Sequence, residues 1–269
     1  MINLLENKLN ERKGNKMLKL KERSQLIFSV MLGLLALFVL STPAMALRIE
    51  LSNEYFSPSG RGANRNLFVT NNTEKMMAVE VYARRRTISD EGSDILAEED
   101  NFLIYPNQLL LQPGEQQVAT VTWIGDKHPD QELAFRIVVE QLNLALGDDD
   151  DDDLEQSMTV KLLALTKVVK AAYVTPSGAK PDVMVDSIEP FKKDGKTMMK
   201  VTIRNRGLAH TIIKNTRLRV SPTDGSGKNI IVTDPVLASS NNMLANSNRV
   251  FLIEWPKKLT VGPVTGERI

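Results

Sequence analysis

From Leu47 onward the chain consists of short apolar runs that alternate with polar residues and stop at clusters of Gly, Pro, Asn and Asp. A strand points successive side chains to opposite faces, so this period-two pattern suits half-buried β-strands and not helices. Residues 66–70 stop at Asn71 and Asn72, residues 77–83 follow, and a turn is predicted at 90–92. Residues 102–105 and 109–111 lead to the turn pair Pro113 and Gly114, and 118–124 alternate again. Residues 132–142 fit helix or strand by period alone, and their β-branched centre assigns them to a strand. Past the Pro- and Gly-containing stretch 176–181, alternation resumes at 183–188, 198–205, 216–220, 230–233 and 250–255. Short strands at this spacing predict an all-β chain of sandwiches or barrels, with a domain joint near Pro176.

One stretch stands apart. Six consecutive aspartates, 148–153, precede a long apolar, β-prone run that ends at Pro176. A strand so apolar invites pairing with another chain if its edge is exposed. Pairing is therefore read as the work of this strand. The aspartates lack the spaced ligands and Gly of a calcium-binding loop, and a run of like charges is expected to be a solvated, self-repelling loop.

Composition excludes several classes of function. With 34 Lys and Arg against 33 Asp and Glu, the chain has no basic footprint for nucleic acid. No cysteine is present among the 269 residues, which rules out disulfides, thiolate metal sites and cysteine nucleophiles. His128 and His210 are the two histidines; neither has a partner at metal-site spacing, and both are read as surface residues. Phosphate-binding glycine loops, nucleophile elbows and zinc-protease motifs are absent. The paired glycines at 60 and 62 and at 225 and 227 are read as turns, and residues 84–86, three arginines, as a solvated strand end. No catalytic set, metal site, cofactor or small-molecule substrate is expected.

The N-terminal stretch addresses the compartment. A basic segment, 16–23, leads into an apolar run, 26–40, and then to small residues ending in Ala44, Met45 and Ala46. This is the order of a secretory signal, and the run is shorter than the ~20 residues of a membrane span. Cleavage is expected after Ala46, with Met17 as an alternative start. The remaining residues, 47–269, suffice for two domains of about 100 residues each.

Several short motifs in order carry a resemblance: residues 102–106 (FLIYP), 111–117 (LQPGEQQ), 123–126 (WIGD), 132–136 (ELAFR) and 140–142 (EQL). Across roughly 65–176 they resemble the N-terminal domain of the periplasmic pilus chaperones, the PapD-like family. In the second half, residues 201–207 with His210 resemble the Asn-containing turn of that family's second domain. The resemblance implies two immunoglobulin-like β-sandwich domains set at an angle with a cleft between them. They would span residues 47–176 and 177–269 after a signal peptide of 1–46.

It also implies a periplasmic chaperone that lends the last strand of its first domain to pilin-like subunits and delivers them to an outer-membrane usher. Strand addition of this kind takes affinity from backbone hydrogen bonds and specificity from alternate side chains. The donor side chains would be Met158, Val160, Leu162 and Ala164, although Leu163 and Leu165 keep the opposite register open. The family holds the subunit's terminal carboxylate with a cation pair. Lys170 is the implied anchor, with Lys167 as the alternative and Arg48 as the first-strand candidate, because the family's arginine position falls near Tyr55. The family's interdomain glutamate matches Glu132, but its arginine partner is replaced by Thr175, and a usual proline is Asn143. The rival reading is a secreted or periplasmic immunoglobulin-like adhesion or scaffold protein that donates no strand.

Overall fold

The computed structural model describes residues 46–143, 165–225 and 227–269. The described residues of the first half form ten strands: β1 (Leu47–Leu51), β2 (Tyr55–Phe56), β3 (Asn64–Asn71), β4 (Met77–Ile88), β5 (Asp94–Glu98), β6 (Phe102–Tyr105), β7 (Gln108–Leu111), β8 (Gln116–Trp123), β9 (Leu133–Gln141) and β10 (Lys167–Val174). They form two sheets, one in the order β1-β3-β8-β6 and one in the order β2-β10-β9-β4-β5, with β7 also paired to β4. Alternation along each strand turns one set of side chains inward, such as Leu67 and Val69 on β3 and Phe135, Ile137 and Val139 on β9. Between the sheets, Phe102 meets Phe56, Trp123 and Phe135 edge-on, with ring centroids 5.0–5.4 Å apart.

The second half contains β11 (Val183–Lys193), β12 (Lys196–Asn205), β13 (Thr211–Ile213), β14 (Arg217–Pro222), β15 (Ile230–Thr233), the short helix α1 (Pro235–Ala238), β16 (Asn241–Met243), β17 (Ser247–Glu254) and β18 (Val264–Arg268). Its sheets run β11-β12-β17, β13-β16 and β15-β14-β18. A separate apolar core fills this half, built on Met199, Val201, Ile203, Leu218, Val220, Phe251 and Ile253. The described residues are thus almost entirely β, in two sandwich-like halves.

The two halves share one local device. Asn71, at the end of β3, is fully buried; its amide donates to the carbonyls of Lys75, Leu111 and Gln112, and its Oδ1 accepts from Thr73. Asn205, at the end of β12, is equally buried. It donates to the carbonyls of Ala209, Met243 and Leu244 and accepts from the N–H groups of Asp182 and Gly207. In each half one asparagine satisfies the backbone groups that a strand end leaves behind.

The expected turn at 90–92 is present, with Gly92 at φ 98°. The arginine run differs from its sequence reading. Residues 84–86 lie inside β4 rather than at its end, and the Arg86 side chain is 5% exposed, held 2.8 Å from Asp94 of β5. β5 folds back on β4 and supplies the carboxylate that makes this burial tolerable.

Candidate functional site

The strand of interest is β10. It pairs antiparallel with β9 along its whole length, from Lys167 opposite Glu140 to Val174 opposite Leu133. On its other side β2 pairs with Tyr173 and Val174, in parallel, and among the described residues no strand covers 167–172 there. The N–H groups of Tyr173 and Thr175 bond outward to Glu54 and Phe56, while the carbonyl of Thr166 bonds back towards β9. The strand period therefore directs the N–H groups of Lys167, Val169 and Ala171 to the open edge. Val169 is itself exposed. An uncovered strand edge of this kind is a template for a further strand.

Side chains on β10 divide by parity. Val168, Ala172 and Val174 enter the core of the first half. Ala171 and Tyr173 lie on the opposite face, packed with Ala134, Ile88 and, from the second half, Leu244. Lys170 shares the parity of Val168 and Ala172 but is exposed, and no described residue pairs with it. Lys167 lies on the other face, bonded to Glu140 at 3.1 Å and set over the Tyr82 ring. Tyr82 also donates to Glu140, and these bonds hold the Glu140 carboxyl below its ordinary range. Arg48 stands exposed on β1 beside Glu50, 3.5 Å away, on the other sheet. The fold thus does not gather Lys170, Lys167 and Arg48 on one face. Met158, Val160, Leu162, Ala164 and the six aspartates lie outside the described residues, as do residues 1–45 of the expected signal peptide.

Tyr55, near which the resemblance implied an arginine, starts β2 and stacks with Tyr173 and His210 at centroid distances of 5.8 and 5.7 Å. Tyr173 and His210 stack more closely, at 3.7 Å and 10°. Arginines are present elsewhere on the outer face of the same sheet: Arg84 lies directly opposite Arg136 across β4 and β9. Like charges so placed repel, and Glu98 at 3.3 Å from Arg84 and Asp94 at 2.7 Å from Arg136 offset the repulsion.

Glu132 joins the halves, and its basic partner is one the sequence reading placed on the surface. His210 is buried, its side chain 7% exposed and that of Glu132 2%. Glu132 Oε1 accepts the His210 backbone N–H at 2.8 Å and lies 2.5 Å from His210 Nδ1, while Oε2 accepts from Thr175 at 2.7 Å. The Glu132 N–H reaches the Leu208 carbonyl. Thr175, standing where arginine was expected, supplies a hydroxyl, and His210 supplies the ring. His128, by contrast, is exposed as read. A second contact is made by the β4–β5 turn: Asp90 accepts the Val250 N–H at 2.8 Å, and the Arg249 guanidinium occupies the space beside Gly92 where a Cβ would stand. Asn242 adds a bond of 2.8 Å to the Tyr173 hydroxyl.

Burial acts to raise the Glu132 pKa, but the hydrogen bonds from His210 and Thr175 outweigh it and the carboxyl sits below its ordinary value. A depressed carboxyl contributes stability above its unfolded pKa of about 4.3, and that contribution disappears as pH falls through the lower folded value. Wild type is therefore expected to lose stability relative to Glu132→Gln on acidification below about pH 4.3. Paired urea titrations across that range check this; parallel pH profiles would contradict it.

Comparison with known proteins places this geometry. No protein-family model and no curated protein matches the chain. Among solved structures, a chain of the CsuC–CsuE chaperone–tip adhesion subunit pre-assembly complex, from the archaic chaperone-usher Csu pili of Acinetobacter baumannii, superposes with a TM-score of 0.51 at 13% identity. The match covers 81% of this chain and 92% of that one. The chain has the fimbrial chaperone fold. A chain of the chaperone–tip adhesin complex of CFA/I fimbriae biogenesis matches equally, with a TM-score of 0.51 at 11% identity, over 81% of this chain and 93% of that one. The sheet that contains β10 also carries the Tyr173 contact with the second half.

Proposed function

We propose that the protein is a periplasmic chaperone that captures pilin-like subunits by strand donation and passes them to an outer-membrane usher. The observation that carries this reading is the edge of β10, the strand that follows the apolar stretch 158–166 in the sequence: β9 pairs it on one side, and among the described residues no strand covers 167–172 on the other. An incomplete sandwich that lacks a strand presents the complementary defect, and pairing satisfies both sets of backbone groups while covering apolar surface. Met158, Val160, Leu162 and Ala164 are the side chains proposed to enter the subunit. A rigid donor binds at lower entropic cost, and the Glu132–His210 junction supports rigidity by tying Thr175, directly after β10, to the second half. The action is one of binding, with no catalytic step. Export by a signal peptide ending at Ala46 brings the chain to the compartment where such subunits are met.

Of the proposed carboxylate anchors, Lys170 is the cation left without a partner among the described residues, Lys167 is engaged by Glu140, and Arg48 by Glu50. Lys170 is thus the first choice for receiving a subunit's terminal carboxylate. Lys170→Ala is expected to weaken capture of a co-expressed pilin-like subunit at least about tenfold, the loss of one hydrogen bond to a charged group, with folding unchanged. Pull-down of the subunit with wild-type and variant chains measures this. Undiminished capture by Lys170→Ala would remove it as anchor, and absence of capture by the wild type would remove the function.

A further inference from the structure

The two halves carry opposite charge. Residues 47–176 contain 12 Lys and Arg against 22 Asp and Glu, a net of −10, while residues 177–269 contain 15 against 8, a net of +7. Charge segregated in this way orients a molecule in an external field and is not required by either core.

Much of the positive charge collects at one end of the second half. β11 runs 11 residues from the junction, about 35 Å at strand rise, and turns at Asp194 and Gly195, both in the left-handed region. Lys193 lies opposite Lys196 across this turn. The N–H of Trp255 bonds to the Thr197 carbonyl, which brings exposed Lys257 and Lys258 beside the same tip. Met199, Val201 and Ile203 of β12 face the core, so Lys196, Met198 and Lys200 stand on the outer face. There Phe191, opposite Met198, and Leu252, opposite Lys200, are 42% and 38% exposed. Among the described residues the acid ion-paired to these lysines is Glu254, itself highly exposed and 3.5 Å from Lys196, a contact of small net value; Glu189 lies opposite Lys200 and Asp194 in the turn, so lysines outnumber acids on this surface. Lysines interleaved with exposed apolar side chains form a surface that fits a sheet of negative charge over hydrocarbon.

We propose that this lysine tip docks on an anionic phospholipid surface, with the acidic first half, and the open β10 edge it carries, held away from the membrane. The occupant is argued from charge complementarity: each Lys near an anionic bilayer contributes favourably, while the net −10 of the other half is repelled. This inference does not depend on subunit capture. The reverse orientation would bring the acidic half against like charge.

The chain contains no cysteine, so a single Leu252→Cys carries an environment-sensitive fluorophore at the tip and reports there whatever the leader does. With vesicles of phosphatidylcholine containing about one-third phosphatidylglycerol, the label is expected to shift to the blue, and about 0.5 M NaCl is expected to abolish the shift. Pure phosphatidylcholine vesicles are expected to give none. In the background Lys193→Glu, Lys196→Glu, Lys257→Glu and Lys258→Glu, affinity is expected to fall at least about 100-fold. The corresponding four Lys→Gln changes, which test the same point if the reversed chain does not fold, should fall between. No shift in a folded chain, an equal shift with uncharged vesicles, or retention in the charge-reversed chain overturns the proposal. A shift with a soluble polyaspartate peptide and none with vesicles overturns it in favour of an acidic protein partner.

Discussion

Asn205→Ala is expected to destabilise the second half by about 3 kcal/mol or more. The side chain is fully buried and makes five hydrogen bonds, to the carbonyls of Ala209, Met243 and Leu244 and from the N–H groups of Asp182 and Gly207. Truncation leaves those backbone groups in a dry interior, where each unsatisfied group costs about 1–3 kcal/mol and some are rescued by entering water. For a half of about 100 residues such a loss lowers the melting temperature by roughly 12 °C or more. Asn71→Ala is expected to act alike on the first half, because its amide and Oδ1 hold the strand end in the same manner. Calorimetry of both variants checks this; a shift of under about 3 °C for either would mean that its turn stands without the asparagine.

The largest functional effect is expected from Val169→Pro. Proline removes an N–H and is tolerated in a sheet where that N–H faces outward. At Val169 the N–H points to the open edge, so no bond to β9 is lost, and the exposed side chain fills no core space. Stability is therefore expected to change by less than about 1 kcal/mol. Capture of a pilin-like subunit should fall by at least about 100-fold, because the donated ladder is interrupted in its middle and the ring obstructs the incoming backbone. Val168→Pro, whose N–H is directed into the ladder with β9, is the contrasting variant and should damage folding as well. Equal capture by Val169→Pro and wild type would show that the subunit does not use this edge.

The sequence made the alternating strands legible because each has one buried and one solvated face, as in residues 118–124 and 198–205. β5 was hidden because all five of its residues are exposed, leaving no alternation to read. β11 was cut short at Ile188 by Pro190, which survives in the strand because β11 lies at a sheet edge with a free side for the missing donor. Asn71 and Asn205 each follow an alternating run in the sequence, yet their shared role depends on carbonyls about 40 residues away in the chain. The same limit concealed His210. Its partner Glu132 is 78 residues distant, and nothing in the local sequence at 207–210 marks a buried ring. Arg86 was misread for the opposite reason, since three consecutive cations look solvated until Asp94 is folded onto them. Pattern therefore located the open-edged strand, whereas the side chains that brace it belong to contacts made only by the folded chain.

Amide hydrogen exchange on a chain purified with its bound polypeptide, compared with the free chain, tests strand donation most directly. The account predicts that the N–H groups of Lys167, Val169 and Ala171, which have no strand partner among the described residues, become strongly protected in the complex, while those bonded to β9 change little. Unchanged exchange at these three amides, with polypeptide still bound, would contradict donation from β10 and leave the fold with a different means of holding its cargo.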